Sequence, residues 1–434
     1  MRKEKEVKAE SGDIVRIKTP SEEYEGTIIE SYDPKIILLK LKSGYNIGIE
    51  KKDIKKMEKT GKAEKKGFPE AEIKGKEKQL PSISVIATGG TISSRIDYAT
   101  GGVKWLMKPE EIFALAPKMH DIASIKSVEK PFMAFSEDMS SEHWKQIAKT
   151  AEKLLNDKEN KGIIITHGTD TLHYTAAALS FMLKNLNKPV ILTYAQRSTD
   201  RGSTDTSLNL TCSAYAAISD IAEVMIVGHA SENDDFCYAI RGTKARKMHS
   251  SRRDAFRPIN DLPIAKISEE GKVEIMDKFE KINKRNEGKV IADTAFEDKI
   301  TLVKFYPGAK PEIIDFYIKH GYKGIVIEAT GLGHVATESE HNWMPAIKKA
   351  IDAGMIVCVT TQTIYGRVDP YVYSTGRKLL DAGVLYLDDM TSETAYVKLG
   401  WVLGHAKGEE AKKLMMQNIA GEFNKKVSEK TFLF

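Results

Sequence analysis

The chain is short of almost everything that marks an extracellular, membrane-bound or metal-dependent protein. Only three cysteines (Cys212, Cys237 and Cys358) occur in 434 residues. They are too scattered for a disulfide framework or a CxxC metal knuckle, and are expected as buried thiols in a reducing cytoplasm. No apolar run approaches the ~20 residues of a membrane helix. The opening MRKEKE carries no hydrophobic signal segment. These features predict a cytoplasmic protein with no membrane association. The ten histidines are spread singly, and no HExxH or HxH pair stands beside carboxylates, so no metal is expected. A GxxxxGK[ST] phosphate loop and a GxSxG nucleophile elbow are also missing.

What is present is enough chain for two or three domains, since 434 residues exceed one ordinary core. The net charge of +5 gathers in two segments. One holds Lys51, Lys52, Lys55, Lys56, Lys59, Lys62, Lys65 and Lys66. The other holds Lys244, Arg246, Lys247, Arg252, Arg253 and Arg257, opposed only by Asp254. Such clusters suit either a nucleic-acid backbone or a solvated surface, and no interleaved aromatics mark a base-stacking platform.

Short runs rich in β-branched and aromatic residues fill residues 1–58, punctuated by Pro20-Ser21, Asp33-Pro34 and Ser43-Gly44. They predict a small all-β, SH3-like barrel. Residues 59–80, full of lysine, glutamate and glycine, predict a charged flexible linker. From Pro81 the pattern alternates. Ile83–Thr88, Gly162–Thr166, Pro189–Thr193 and Val224–Gly228 are nearly all apolar, as strands buried on both faces of a parallel sheet are. Ser141 begins a helical run to Leu155 and is the candidate cap, without a full capping box because Trp144 follows three residues on. A polar stretch, Asp277–Lys289, precedes a second α/β unit with strands Ile300–Phe305, Gly324–Glu328 and Met355–Thr360. The expected domains are therefore 1–58, 59–80, 81–285 and 286–434.

Two segments at the carboxyl ends of buried strands carry the candidate chemistry, where parallel sheets place their ligands. In Thr88-Gly89-Gly90-Thr91-Ile92, the glycines let backbone N–H groups approach a substrate and stabilise an oxyanion while a hydroxyl projects from the turn. On spacing alone this segment serves equally as strand-turn chemistry. In Thr166-His167-Gly168-Thr169-Asp170-Thr171, a hydroxyl and a carboxylate stand together. A threonine nucleophile needs a base and a charge to support it, which Thr169, Asp170 and a lysine supply. The same Thr169 and Asp170 are also suited to capping a following helix. His167 is expected to hydrogen-bond locally behind the turn.

Jointly and in this order, GGTI and HGTDT resemble the signatures of the asparaginase/glutaminase family of amidohydrolases. The resemblance covers roughly residues 81–434 and implies a doubly wound α/β domain carrying the catalytic residues, then a smaller C-terminal α/β domain. It implies Thr91 as nucleophile and Tyr98 as the mobile-loop tyrosine that closes on the substrate. Ser136, Glu137 and Asp138, with Gly90 and Gly168, are implied as substrate-binding. Thr169 and Asp170 match the second threonine and the aspartate that holds the α-ammonium, and Lys244, in Arg241-Gly242-Thr243-Lys244, matches the relay lysine. The implied reaction is a two-step acyl transfer releasing ammonia from glutamine or asparagine, with Tyr98 or the Thr169–Lys244 pair taking the proton. Glu137 stands where many stand-alone asparaginases have glutamine, which leaves the choice between the two substrates open. Thr91 is internal, so an N-terminal-threonine mechanism is excluded.

The barrel and linker joined to this body are similar to the D subunits of archaeal-type glutamyl-tRNA(Gln) amidotransferases. Gln196-Arg197-Ser198-Thr199-Asp200-Arg201, Tyr365-Gly366-Arg367-Val368 and the run Asp389-Met390-Thr391-Ser392-Glu393-Thr394-Ala395-Tyr396-Val397-Lys398 fit that family. The resemblance implies a partner E subunit that holds ATP and Mg²⁺ and most tRNA(Gln) contacts, no cofactor on this chain, and a heterotetramer of two D and two E subunits around a D homodimer. The competing expectations are a stand-alone cytoplasmic L-asparaginase and a non-catalytic tRNA-docking subunit that keeps the fold.

Overall fold

A computed structural model describes residues 9–29, 31, 33–43, 45–63, 80–90, 92, 94–96, 103–105, 114–197, 199, 202–276 and 281–434. The first unit is a five-stranded antiparallel sheet in the order Asn46–Glu50, Ile36–Leu41, Glu23–Ile29, Asp13–Lys18, Lys56–Lys62. Val15, Ile17, Ile28, Leu39 and Ile49 form its own core. Its last strand runs into the stretch expected as linker. Lys56–Lys62 is almost wholly exposed, and its place comes from pairing with Asp13–Lys18 rather than from an apolar pattern of its own.

The second unit is an eight-stranded mixed sheet. Ser124–Glu129, Ser82–Ala87, Asn160–Thr166, Val190–Thr193 and Val224–His229 are its parallel members, and Phe236–Arg241, Ala265–Ser268 and Val273–Ile275 add antiparallel strands beyond them. The unbroken apolar runs follow from burial on both faces: Ile163 and Ile165 join one core while Ile164 joins the other. Helices Ser141–Leu155 and Leu172–Met182 cover the first face, and Thr206–Ile218 covers the second.

The third unit is a four-stranded parallel sheet, Ile300–Lys304, Gly324–Ala329, Ile356–Thr361, Leu385–Tyr386. Its helix Ser392–His405 packs on Leu172–Met182, where Phe181 stacks on Trp401 with ring centroids 6.0 Å apart. One hydrophobic core therefore runs through both α/β units. The fold is the doubly wound body with a smaller α/β companion behind a β-barrel.

One local expectation changes. The cap of the Ser141–Leu155 helix is Ser140, whose N–H donates to His143 Nδ1 at 3.1 Å. Ser141 is the first helical residue, and its hydroxyl is taken by Asp298 across to the third unit. Among the described residues no helix is long and apolar enough to cross a membrane.

Candidate active site

Ser82–Ala87 and Asn160–Thr166 are parallel neighbours with Ala87 opposite Thr166. The two turns named above therefore leave the sheet side by side. Thr88 ties them at the root, its hydroxyl donating to the Thr166 carbonyl at 2.9 Å. Beyond it Gly90 adopts φ +79°, and a Cβ there would lie 2.5 Å from the Gly168 nitrogen. Only glycine meets both demands, a left-handed backbone and two main chains in contact. A Cβ on Gly168 would in turn meet Ser136 Oγ at 2.8 Å. The Gly-Gly turn, the His-Gly-Thr turn and the Ser136 segment thus converge on one spot at the carboxyl edge of the sheet. Thr91 follows Gly90 directly; it and Tyr98 lie outside the described residues.

Ser136 is buried and built in: its Oγ accepts from the Asp170 N–H at 3.2 Å, and its carbonyl accepts from Thr171 Oγ1 at 2.6 Å. Glu137 and Asp138 follow in the same turn with exposed side chains. The helix beginning at Leu172 has Thr171 at its cap position. Thr169 and Asp170 therefore do not cap it, and their side chains are turned to a lysine.

That lysine is Lys247. Its Nζ donates to Thr169 Oγ1 at 2.8 Å and to Asp170 Oδ1 at 2.7 Å. Lys244, expected in this place, faces the other way. It is fully buried and pairs with Asp389 Oδ2 of the third unit at 2.8 Å. Lys244 ends a turn and precedes the short strand Ala245–Lys247, whose partner is Phe256–Pro258, and it is the strand's last residue that reaches the turn at Thr169. The resemblance pointed to Lys244 as the relay lysine, whereas the lysine at the turn is Lys247, three residues on.

Two histidines back the site. His167 hydrogen-bonds locally, Nδ1 to the Gly168 carbonyl at 2.7 Å and Nε2 to Thr175 Oγ1 at 2.8 Å. Burial pushes its pKa down to about 4. His173, on the Leu172–Met182 helix, is pushed down to about 3, first by burial and then by the facing Arg246 and Lys247. Both are neutral at physiological pH and serve as fixed dipoles rather than charges. The second basic segment is also accounted for. Arg246 pairs with Glu393 at 3.2 Å, Arg252 and Arg257 with Asp254, and Arg253 with Asp234 at 2.8 Å.

A polar turn pair with a lysine bridging hydroxyl and carboxylate is equipped to move a proton and hold an amino acid by its charged end. Comparison with known proteins agrees with that chemistry. Residues 82–281 match the family described as asparaginase, N-terminal, residues 299–416 the glutaminase/asparaginase C-terminal domain, and residues 9–59 the GatD N-terminal domain. The D subunit of glutamyl-tRNA(Gln) amidotransferase from Pyrococcus furiosus is 50% identical over 98% of this chain and 97% of its own length. That of Methanothermobacter thermautotrophicus is 43% identical over 96% and 94%. The thermostable L-asparaginase from Thermococcus kodakarensis superposes with a TM-score of 0.71 at 30% identity, over 80% of this chain and all of that one. L-asparaginase I from Vibrio cholerae gives 0.67 at 28% identity, over 80% and 99%. With its barrel, its two α/β units and this site in one chain, the protein belongs to the family of glutamyl-tRNA(Gln) amidotransferase D subunits, amidohydrolases built on the asparaginase/glutaminase fold.

Proposed function

We propose that the chain releases ammonia from glutamine with Thr91 as nucleophile and Lys247 as the relay lysine. The observation that carries this reading is the Lys247 Nζ bridging Thr169 Oγ1 and Asp170 Oδ1 at 2.8 and 2.7 Å. The Thr91 oxygen adds to the side-chain carboxamide carbon, and its proton passes through Thr169 to the Lys247 nitrogen acting as the free amine, with Tyr98 closing over the substrate. Backbone N–H groups of the Gly-Gly turn hold the oxyanion. The proton is returned to the amide nitrogen, the C–N bond breaks, and ammonia leaves an ester on Thr91 that water cleaves to glutamate. Asp170, Ser136 and Glu137 hold the α-ammonium and α-carboxylate, with Asp138, Gly90 and Gly168 shaping the same wall.

The ammonia is consumed by a partner E subunit, which activates glutamyl-tRNA(Gln) with ATP and Mg²⁺. The chain itself needs no cofactor and works in the cytoplasm as a D homodimer within a heterotetramer of two D and two E subunits. The barrel at residues 9–59, matched by the GatD N-terminal domain, supports this over a free-standing asparaginase.

Ammonia release from glutamine and asparagine tests the reading. The expected result is activity that rises on adding E subunit and glutamyl-tRNA(Gln) and is abolished by Thr91→Ala. Full activity from the chain alone, indifferent to both additions, would make it a stand-alone amidohydrolase.

A further inference from the structure

The run Asp389–Glu393 at the head of the Ser392–His405 helix belongs to the third unit and lies on the side of Lys244, away from the carboxamide chemistry. Yet the side chains of Asp389 and Glu393 end on one stretch of the second unit, the residues that deliver Lys247. Asp389 Oδ2 takes Lys244 Nζ at 2.8 Å, with both side chains fully buried. Glu393, nearly buried, takes Arg246 Nη1 at 3.2 Å. Just beyond it, the Thr394 hydroxyl donates to the Thr243 carbonyl at 2.9 Å. Thr243 Oγ1 reaches on to the Ala420 carbonyl at 3.0 Å, and the Asn424 N–H holds the second Asp389 oxygen at 3.0 Å. Thr243, Lys244 and Arg246 are all gripped from the third unit, and Lys247 is the next residue.

We infer that Asp389 and Glu393 are positioning residues for Lys247, so that the third unit sets the geometry of the proton relay from outside the site. The inference rests on the reading of Lys247 given above. Lys247 stands at the end of a short strand paired with Phe256–Pro258, and a two-stranded ribbon of that length does not hold its shape without support from outside. The shared core supplies part of that support through Ala245, Ala255 and Phe256, and the two ion pairs on the amino-terminal side of Lys247 supply the rest. Glu393 also balances the Arg246 charge one residue from Lys247. A misplacement of about 1 Å at a proton-transfer group costs on the order of a hundredfold in rate, and partial loss of one clamp less.

The test uses the full chain and glutamine as substrate. Glu393→Gln keeps the shape and removes the charge, and is expected to lower kcat about tenfold while KM stays within about twofold. Thermal melting should move by only a few degrees. In a Lys247→Ala background, Glu393→Gln should change the slow residual rate no further, because a residue that acts through Lys247 has nothing left to act on. Arg246→Gln breaks the same pair from its part-exposed end and gives the same pattern if Glu393→Gln does not fold. A parental kcat in both clamp variants overturns the inference, as does the same fractional loss with and without Lys247. A parental kcat in Lys247→Ala alone overturns the relay reading instead, so the two failures are distinguishable.

Discussion

At the scale of the residue, the contrast between Lys244 and Lys247 separates a structural lysine from a chemical one. Lys244 is fully buried and faces a fully buried carboxylate. Removing one partner of such a pair strands the other in a medium that cannot solvate it, which costs roughly 3–5 kcal/mol. Lys244→Ala is therefore expected to lower the denaturation midpoint steeply. Lys247 ends on groups at the edge of the site, its Asp170 partner being more than half exposed. Lys247→Ala should leave the denaturation midpoint nearly unchanged and cost on the order of 10²–10⁴ in kcat. Denaturant melts and ammonia release on the two purified variants read the difference. Equal stability in both, or the larger rate loss in Lys244→Ala, would reverse the assignment. The sequence held the ingredients of the turn, Gly90, Gly168, Thr169 and Asp170, because each is demanded by backbone contact or charge at a strand end. It did not hold the direction of a side chain on an irregular hairpin, which depends on a carboxylate more than a hundred residues away.

At the scale of the element, the buried strands were legible because burial on both faces leaves no alternative to an apolar run. The fifth barrel strand, Lys56–Lys62, was not, since its exposed face has no such demand and its pairing partner alone defines it. The same holds for the helix cap, where Ser140 and Ser141 are interchangeable in composition, and the His143 capping bond and the Asp298 contact from the third unit separate them. The Leu172–Met182 helix makes a prediction of its own. It carries His173, and its Thr175 holds His167, both imidazoles buried and neutral. Glu393 lies 3.9 Å from His173, but burial together with Arg246 and Lys247 outweighs it. Because the folded pKa values, about 4 and about 3, lie below the ordinary 6.5, the unfolded chain takes up protons first as pH falls. Their contribution to stability is complete above about pH 6.5 and drains away towards pH 4, by about 1.4 kcal/mol per pH unit for each histidine. Denaturant titrations at pH 7, 5.5 and 4.5 should show that slope, and His173→Phe should flatten about half of it. An identical slope in the variant would mean that other groups set the acid limit.

At the scale of the whole molecule, what matters is which cores are shared. The two α/β units are joined by one continuous hydrophobic core running from Ile163 and Leu192 through Phe181 and Trp401 to Val326 and Cys358. They are also joined by the buried Lys244–Asp389 pair. Neither unit can unfold without exposing the apolar face of the other, so they should melt together. The barrel is different. Among the described residues, its core of Val15, Ile17, Ile28, Leu39 and Ile49 takes in nothing beyond the first unit, and the chain between residues 63 and 80 links it to the body. Differential scanning calorimetry should therefore resolve two transitions and not three. The minor one should carry about 35 kcal/mol, at ~0.7 kcal/mol per residue over the roughly 50 residues of the barrel. Deleting residues 1–79 should abolish that transition and leave the midpoint of the major one within a few degrees, with ammonia release from glutamine retained. Because the Lys247 relay and its clamp lie wholly within the body, activity and the major transition should also be lost together on heating, whether or not the barrel is present. A single transition in the full chain, or a body that loses activity when the barrel is removed, would show that the barrel is docked on the α/β units and supports the site directly.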